Sequence, residues 1–405
     1  MADPRAAEPY YRGTRFDRTG IILDLESGGH RYIQPWQRHY DPFSHDAVSG
    51  PAEEFFLDEI GQSGESGPTD GVTQPQRSED GRSRGRSLLA GNSFVKIGVG
   101  LLRREDRPYD RFHLYDILNP GRLTVTFDQA LETGAAGPIF GVTQPQRSEN
   151  GRSRSRSLPA GPELTSATFC HVLDGYYDYV KTVEIPAEGR LRLSHTLTNT
   201  GPTPLTGHVY CHNFFILDGA PTGRATRFTF PWRPTGDWRA PYDSVHLTDD
   251  GIVFTRDLAP EETVFMGNIR PVREALGGVA GPTFGVESNA VEPAKQAMAR
   301  LNAPGGGRDG AEGDVGSPGA AGDSREQSPL KVGRSRGRSL PTAGEGYRFK
   351  MQNLDNDLTV EVSCDRPMDY AVFWSNADVS CLEPYIPFHI TPGQTFRWTL
   401  DYRFQ

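Results

Sequence analysis

The sequence predicts an all-β protein, a sandwich of large antiparallel sheets interrupted by three low-complexity loop insertions. Two observations carry that expectation. Short stretches of alternating apolar and polar residues, separated by Gly, Pro, Asn and Asp turns, fill most of the chain, while helical periodicity is nearly absent. An Arg- and Ser-rich stretch also recurs, as GVTQPQRSEDGRSRGRSL from Gly71, as GVTQPQRSENGRSRSRSL from Gly141, and as the tail GRSRGRSL from Gly333.

The copies carry almost no apolar positions, so they cannot stack as the units of a solenoid. Their Gly, Pro, Ser, Gln and Arg content buries too little apolar surface to offset chain entropy, which predicts exposed flexible loops at 62–90, 134–163 and 274–345. Strand-like sequence continues across each copy. EEFFLDEIG and NSFVKIGVGLL flank the first; RLTVTFDQAL and ATFCHVLDGYYDYVKTVEI flank the second. Insertions in such loops cost little, because each doubling of loop length adds only about 0.6 kcal/mol. The one helix-like stretch, AVEPAKQAMARL, falls within the third insertion. About 275 residues of ordinary composition remain, enough for a single sandwich domain.

The further strands are RLRLSHTLTN, GHVYCHNFFIL, DLTVEVSC and MDYAVFWSN, with NTGPTP and ITPGQT as turns. The plainest is FRWTLDYRF. There Phe396, Trp398, Leu400, Tyr402 and Phe404 share one face and Arg397, Thr399, Asp401 and Arg403 the other, the mark of a half-buried strand.

Charge narrows the function. The formal net charge is −9 even though the copies are rich in arginine, so the rest of the chain is acidic and would repel a phosphate backbone; no nucleic-acid partner is expected. Cys170, Cys211, Cys364 and Cys381 follow no CxxC or finger spacing, no charged-then-apolar leader precedes Tyr10, and no apolar run approaches the ~20 residues of a membrane helix. A cytoplasmic protein without disulfides or membrane association is expected.

In GHVYCHNFFIL, the period of two puts His208, Tyr210, His212, Phe214 and Ile216 on one face and Cys211, Asn213, Phe215 and Leu217 on the other. Both faces are partly apolar, so the strand is either covered on both sides or lines a cleft. His212 reads as a hydrogen-bonded core histidine or as a catalyst, and the following DGAPTG turn, with Asp218, places it near a strand end where sites are built. Glu383, between Leu382 and Pro384 in SCLEPYIPFHI, reads as a buried general base or as an ordinary ion-paired glutamate. Arg15, Glu53, Glu54 and Lys96 are further polar residues in apolar surroundings. KIGVG lacks the spacing of a dinucleotide loop, and HYDPFSHD, with His39, His45 and Asp46, lacks a defined metal-ligand spacing, so neither a dinucleotide nor a metal is expected.

Two stretches, LSHTLTNTGPTPLTGHVYCHNFFILDG and CLEPYIPFHITPGQTFRWTLDYRF, resemble the strand pair and the C-terminal region of the galactose mutarotase-like superfamily, which includes the aldose 1-epimerases. Similarity to mutarotase-like bacterial proteins extends through YYRGTRFDRTGIILDL, GHRYIQPW, DPFSHDAVSGPAEEF, KIGVGLL and CHNFFILDGAPTG, covering nearly all the chain outside the insertions. The resemblance implies a β-supersandwich, a small-molecule sugar as partner, and no cofactor or metal. It implies His212 as the acid for the sugar ring oxygen and Glu383 as the base for the anomeric hydroxyl. Arg15, Glu54, Lys96, Asn213 and Asp218 are then the candidate sugar-binding residues. The family's Asn-x-Leu-His-Gly-Gly segment is missing, which leaves the sugar open. An aldose 1-epimerase-like enzyme is the expected function; the alternatives are a non-catalytic carbohydrate-binding protein on the same fold and a protein whose Arg-Ser segments engage RNA or a partner.

Overall fold

The computed structural model describes residues 1, 9–37, 41–45, 48–58, 93–129, 164–272 and 346–405. The expected insertions at 62–90, 134–163 and 274–345 lie outside the described residues, as do AVEPAKQAMARL, His39 and Asp46. Within the described residues the alternating stretches form twenty-one strands. In chain order these are β1 Leu25–Ser27, β2 His30–Ile33, β3 Gly50–Leu57, β4 Ser93–Lys96, β5 Gly100–Arg103, β6 Ile117–Asn119, β7 Arg122–Gln129, β8 Leu164–Leu173, β9 Tyr177–Glu184, β10 Arg190–Asn199, β11 Leu205–Phe214, β12 Thr226–Thr229, β13 Pro234–Trp238, β14 Val245–Leu247, β15 Gly251–Phe254, β16 Thr263–Pro271, β17 Arg348–Asn353, β18 Thr359–Cys364, β19 Tyr370–Asn376, β20 Ser380–Ile390 and β21 Thr395–Phe404. A 3₁₀ turn, Leu217–Gly219, follows β11.

Ten strands make one sheet, in the order β14-β15-β12-β17-β18-β21-β10-β9-β8-β7, and six make a second, β13-β16-β19-β20-β11-β3. β4-β5-β6 and β1-β2 form two smaller sheets. The strand pairs are antiparallel, as the alternation predicts for an all-β chain. The two large sheets pack face to face. Phe55 of β3 meets Tyr179 of β9 with ring centroids 5.2 Å apart, and Phe373 of β19 meets Phe228 of β12 at 5.3 Å. β21 follows the pattern read from its sequence: Trp398, Leu400, Tyr402 and Phe404 are buried while Arg397 and Arg403 are exposed. Each such ring or branched chain contributes about 1.5–3 kcal/mol on burial.

The outer face of the six-stranded sheet is covered too, and this positions the candidate site. Tyr10, Tyr11, Phe16, Ile21 and Leu23, all N-terminal to β1, pack with Ala52 of β3 and Phe214 of β11. The β4-β5-β6 sheet closes the neighbouring region, where Lys96 reaches Glu54 and Tyr109 meets Phe56. Double coverage is why both faces of β11 are apolar. The KIGVG stretch is the tight β4–β5 turn. Gly98 has φ 78° there, and a Cβ on it would stand 2.2 Å from an Asp17 carboxylate oxygen, so the turn requires glycine.

Candidate functional site

β3 carries two adjacent glutamates, and because a strand alternates, they serve opposite faces. Glu53 points into the core between the large sheets. There it binds the Lys181 ammonium and lies 3.4 Å from His195 Nε2, while Lys181 also donates to the Thr19 carbonyl at 3.1 Å. Asp17 completes the cluster, accepting from the Thr19 amide at 2.8 Å, the Thr19 hydroxyl at 2.6 Å and the Tyr179 hydroxyl at 3.1 Å. Burial pushes the Asp17 carboxyl up and pulls His195 down to about 3, so the imidazole is neutral where it lies flat on Trp398, 4.5 Å away. Burial opposes ionisation of Glu53 as well, but the Lys181 ammonium, by its charge and its hydrogen bond, holds it below the usual carboxylate range. Buried charges of this kind persist because each has its partner.

Glu54 faces outward. One carboxylate oxygen accepts from Arg15 Nε at 2.7 Å and from the Tyr210 hydroxyl; the other accepts from Lys96 Nζ at 3.1 Å. Arg15 also donates to the Tyr210 hydroxyl at 3.0 Å, and Lys96 to the Phe55 carbonyl at 2.9 Å and the Tyr109 hydroxyl at 3.1 Å. Although burial works against it, Lys96, Arg15 and Arg111 hold the Glu54 carboxyl well below the usual range. Burial pulls Lys96 down to about 8 against the opposing pull of Glu54. The structure thus brings Arg15, Glu54 and Lys96 into one network.

That network borders a second group on the same outer face. β11 pairs with β20 in the register Tyr210 to Tyr385, and β20 pairs with β19 in the register Glu383 to Val372 and Cys381 to Trp374. Successive odd residues of β20 therefore share a face with the even residues of β11. His212 Nε2 lies 2.9 Å from a Glu383 carboxylate oxygen, and His212 Nδ1 lies 2.7 Å from Cys381 Sγ. The same sulfur is 3.8 Å from that oxygen. His212, Cys381 and Glu383 are all buried. Burial, reinforced by the Glu383 charge, raises the Cys381 thiol far above its usual range, so it keeps its proton.

Aromatic rings enclose the pair. Phe214 stacks on the His212 imidazole at 3.8 Å and 5°, while Phe16 and Trp374 approach edge-on at 5.7 Å and 6.1 Å. Trp36 stacks on Phe214 at 5.8 Å and meets Trp374 at the same distance. The indole Nε1 atoms of Trp36 and Trp374 are buried and have no hydrogen-bond partner among the described residues. On the other side, Tyr385 stacks between Tyr210 at 4.3 Å and Tyr370 at 4.5 Å. Tyr210 joins the two groups: its hydroxyl binds Glu54 and its ring centroid is 6.4 Å from that of His212.

The remaining candidates stand elsewhere. Asn213, one residue past His212, faces the core, as the period of two requires; it donates to the Leu382 carbonyl at 2.9 Å and the Cys211 carbonyl at 3.1 Å and accepts from the Tyr402 hydroxyl at 3.0 Å. Asp218 is on the surface in the 3₁₀ turn, holding His30 Nδ1 at 2.7 Å and the Arg31 amide at 2.7 Å. His45 packs edge-on against Phe112 at 4.7 Å. Four residues that the sequence did not single out border the pair and its network: Cys381, Trp36, Trp374 and Arg111. Arg111, in the β5–β6 connection, lies over the Phe56 ring at 5.4 Å, and its charge acts on Glu54, Tyr210 and Tyr385. A cavity of about 190 Å³ lies at another place, lined by Tyr11, Arg18, Gly98, Pro120, Leu123 and His171 among others, and touches neither His212 nor Glu383.

No family model matches the chain, and no curated protein does. Several solved structures that resemble it are described as aldose 1-epimerases or mutarotase-like proteins. They include a candidate aldose 1-epimerase from Klebsiella pneumoniae, 10% identical with a TM-score of 0.34, over 59% of this chain and 50% of that one. The chain thus spans about half the length of that protein. A candidate aldose 1-epimerase from Escherichia coli is 9% identical with a TM-score of 0.35, over 78% of this chain and 80% of that one. A galactose mutarotase-like protein from Clostridium acetobutylicum is 8% identical with a TM-score of 0.30, over 94% of each chain. Among the described residues no helix is long and apolar enough to cross a membrane, and Cys170, Cys211, Cys364 and Cys381 are unpaired.

Proposed function

We propose that the protein is an aldose 1-epimerase-like enzyme in which His212 and Glu383 exchange protons with a sugar hemiacetal. The observation that carries this reading is the 2.9 Å contact of His212 Nε2 with Glu383, held on two paired strands among aromatic rings. Glu383 takes the proton of the anomeric hydroxyl and His212 gives its Nε2 proton to the ring oxygen. The bond from the anomeric carbon to the ring oxygen breaks, a carbonyl forms, rotation about the adjacent carbon–carbon bond turns its other face, and the reverse transfers close the second anomer. Acid and base exchange roles between the two halves, so the cycle balances in protons and calls for no cofactor or metal. The two oxygens sit on one carbon, and each takes a hydrogen bond of ~2.8 Å, so a bound sugar separates the pair to roughly 4–6 Å. The indole N–H groups of Trp36 and Trp374 supply donors for sugar hydroxyls, and the half-buried Trp36 ring suits the apolar face of a pyranose. The unpaired cysteines support a reducing, cytoplasmic setting.

One observation favours a second reading, a carbohydrate-binding protein without turnover. The pair is buried and already self-satisfied, with Cys381 on the remaining imidazole nitrogen. Exchange NMR on equilibrated anomers of a panel of aldoses decides between them. The enzyme reading predicts that at least one aldose exchanges faster than the buffer blank; saturation transfer from the protein to a sugar with no faster exchange favours the binding protein.

A further inference from the structure

We infer that His212, Cys381 and Glu383 form a site for a thiophilic divalent cation of the zinc type, and that filling it takes the His212–Glu383 pair out of use. The second half rests on the epimerase reading; the first does not. Imidazole nitrogen, thiolate sulfur and carboxylate oxygen are the three ligand types of zinc, and here one of each projects from the same face of two paired strands. Donor atoms of the three residues lie within 4.8 Å of one another, and all three side chains are buried. Zinc bonds of ~2.0–2.3 Å in a tetrahedron place donors roughly 3.3–3.7 Å apart. The sulfur and the Glu383 oxygen, at 3.8 Å, need only a small closure to reach that spacing.

Only the imidazole has to move. Sulfur and carboxylate now face its two different nitrogens, so the ring must slide within its own plane until one nitrogen faces the gap between them. The Phe214 ring, parallel to it at 3.8 Å, leaves that in-plane motion open. A metal–sulfur bond forms as the S–H bond breaks, and the proton leaves to solvent; the cation's charge drives this even in a buried site. The soft sulfur donor selects zinc over magnesium or calcium, and three protein ligands leave a fourth position for water. With both side chains bound to the cation, neither can carry a proton to or from a sugar.

Cobalt(II), a spectroscopic stand-in for zinc, tests the site on the full chain. The expected result is a thiolate-to-cobalt charge-transfer band with the intense visible bands of four-coordination, saturating at a single equivalent and displaced by zinc. Cys381→Ser must abolish the charge-transfer band, and Cys170→Ser, at the most accessible thiol, must leave it. A wild-type protein without the band, or a band that survives Cys381→Ser, overturns the proposal. Circular dichroism checks that the variant is folded; if it is not, Glu383→Gln serves instead, and unchanged visible bands there are the overturning result. Loss of anomer exchange on zinc addition, restored by EDTA, supports the regulatory half, and exchange that continues at full rate with zinc bound overturns it. A cobalt band that follows Cys381 in a protein exchanging no aldose keeps the metal site and removes the epimerase reading; exchange without a cobalt band does the reverse.

Discussion

Glu262 shows how far a single side chain can be read. Its carboxylate accepts from Arg256 at 2.7 Å, the Ser244 hydroxyl at 2.6 Å and the Ala259 amide at 3.1 Å, and these bonds, Arg256 first, lower it from the usual 4.5 to about 2. The folded value lies below the unfolded one, so the stabilisation is fully present above pH 4.5 and is lost as pH falls towards about 2. Glu262→Gln should cost about 1 kcal/mol at neutral pH, a modest value for a partly exposed ion pair. In urea melts across pH the gap between wild type and variant should close on the acid side; a gap independent of pH contradicts the assignment. The sequence alone says less about such residues. It marks His212 and Glu383 as polar positions in apolar strands, but Cys381 looks like any small core residue until the strand register sets it against the imidazole. Trp36 and Arg111 lie in irregular segments, where no period announces which way a side chain turns.

At the scale of elements, the pairing of β11 with β20 does most to build the site, and Asn213 is its tie. The sequence period already put Asn213 on the face opposite His212, and there it joins β11 to β20 through the Leu382 carbonyl and to β21 through the Tyr402 hydroxyl. Asn213→Ala takes the amide donor from the Leu382 and Cys211 carbonyls and leaves the Tyr402 hydroxyl only its 3.5 Å contact with Cys211 Sγ; a buried polar group deprived of its partner costs about 1–3 kcal/mol. A destabilisation of roughly 2–4 kcal/mol in denaturant melts is expected, and one below about 1 kcal/mol would contradict the role. Alternation made the strands legible: RLRLSHTLTN is β10 residue for residue, and FRWTLDYRF lies within β21. Pairing was not legible. Nothing local tells β11 that its neighbours are β3 and β20; alternation divides Glu53 from Glu54, but it does not name Lys181 as the partner of the one or Arg15, Lys96 and Tyr210 as the partners of the other. Asp218, expected near the site because it follows the strand, is instead turned onto His30 and Arg31 at the surface.

At the scale of the whole molecule, the all-β class and the large antiparallel sheets were readable because turn residues punctuate the chain at short intervals. The Arg-Ser segments belong to the same argument. β7 and β8 pair out to Gln129 and Leu164, with one irregularity after Asp128, so the segment 130–163 leaves and returns at neighbouring strand ends. Replacing it with an Asn-Gly hairpin turn should keep the circular dichroism spectrum and raise stability by about 2–3 kcal/mol through lower loop entropy. Loss of folding would show that the segment belongs to the domain. The proposed function has one central requirement, that His212 and Glu383, side by side on the outer face of the six-stranded sheet, act as an acid and a base. The measurement that tests it most directly is the anomer exchange rate of the wild type beside His212→Ala and Glu383→Gln, each confirmed as folded. Accelerated exchange of one aldose in the wild type, lost to the buffer rate in both variants, is the expected result; exchange that survives either substitution would remove His212 and Glu383 from the chemistry.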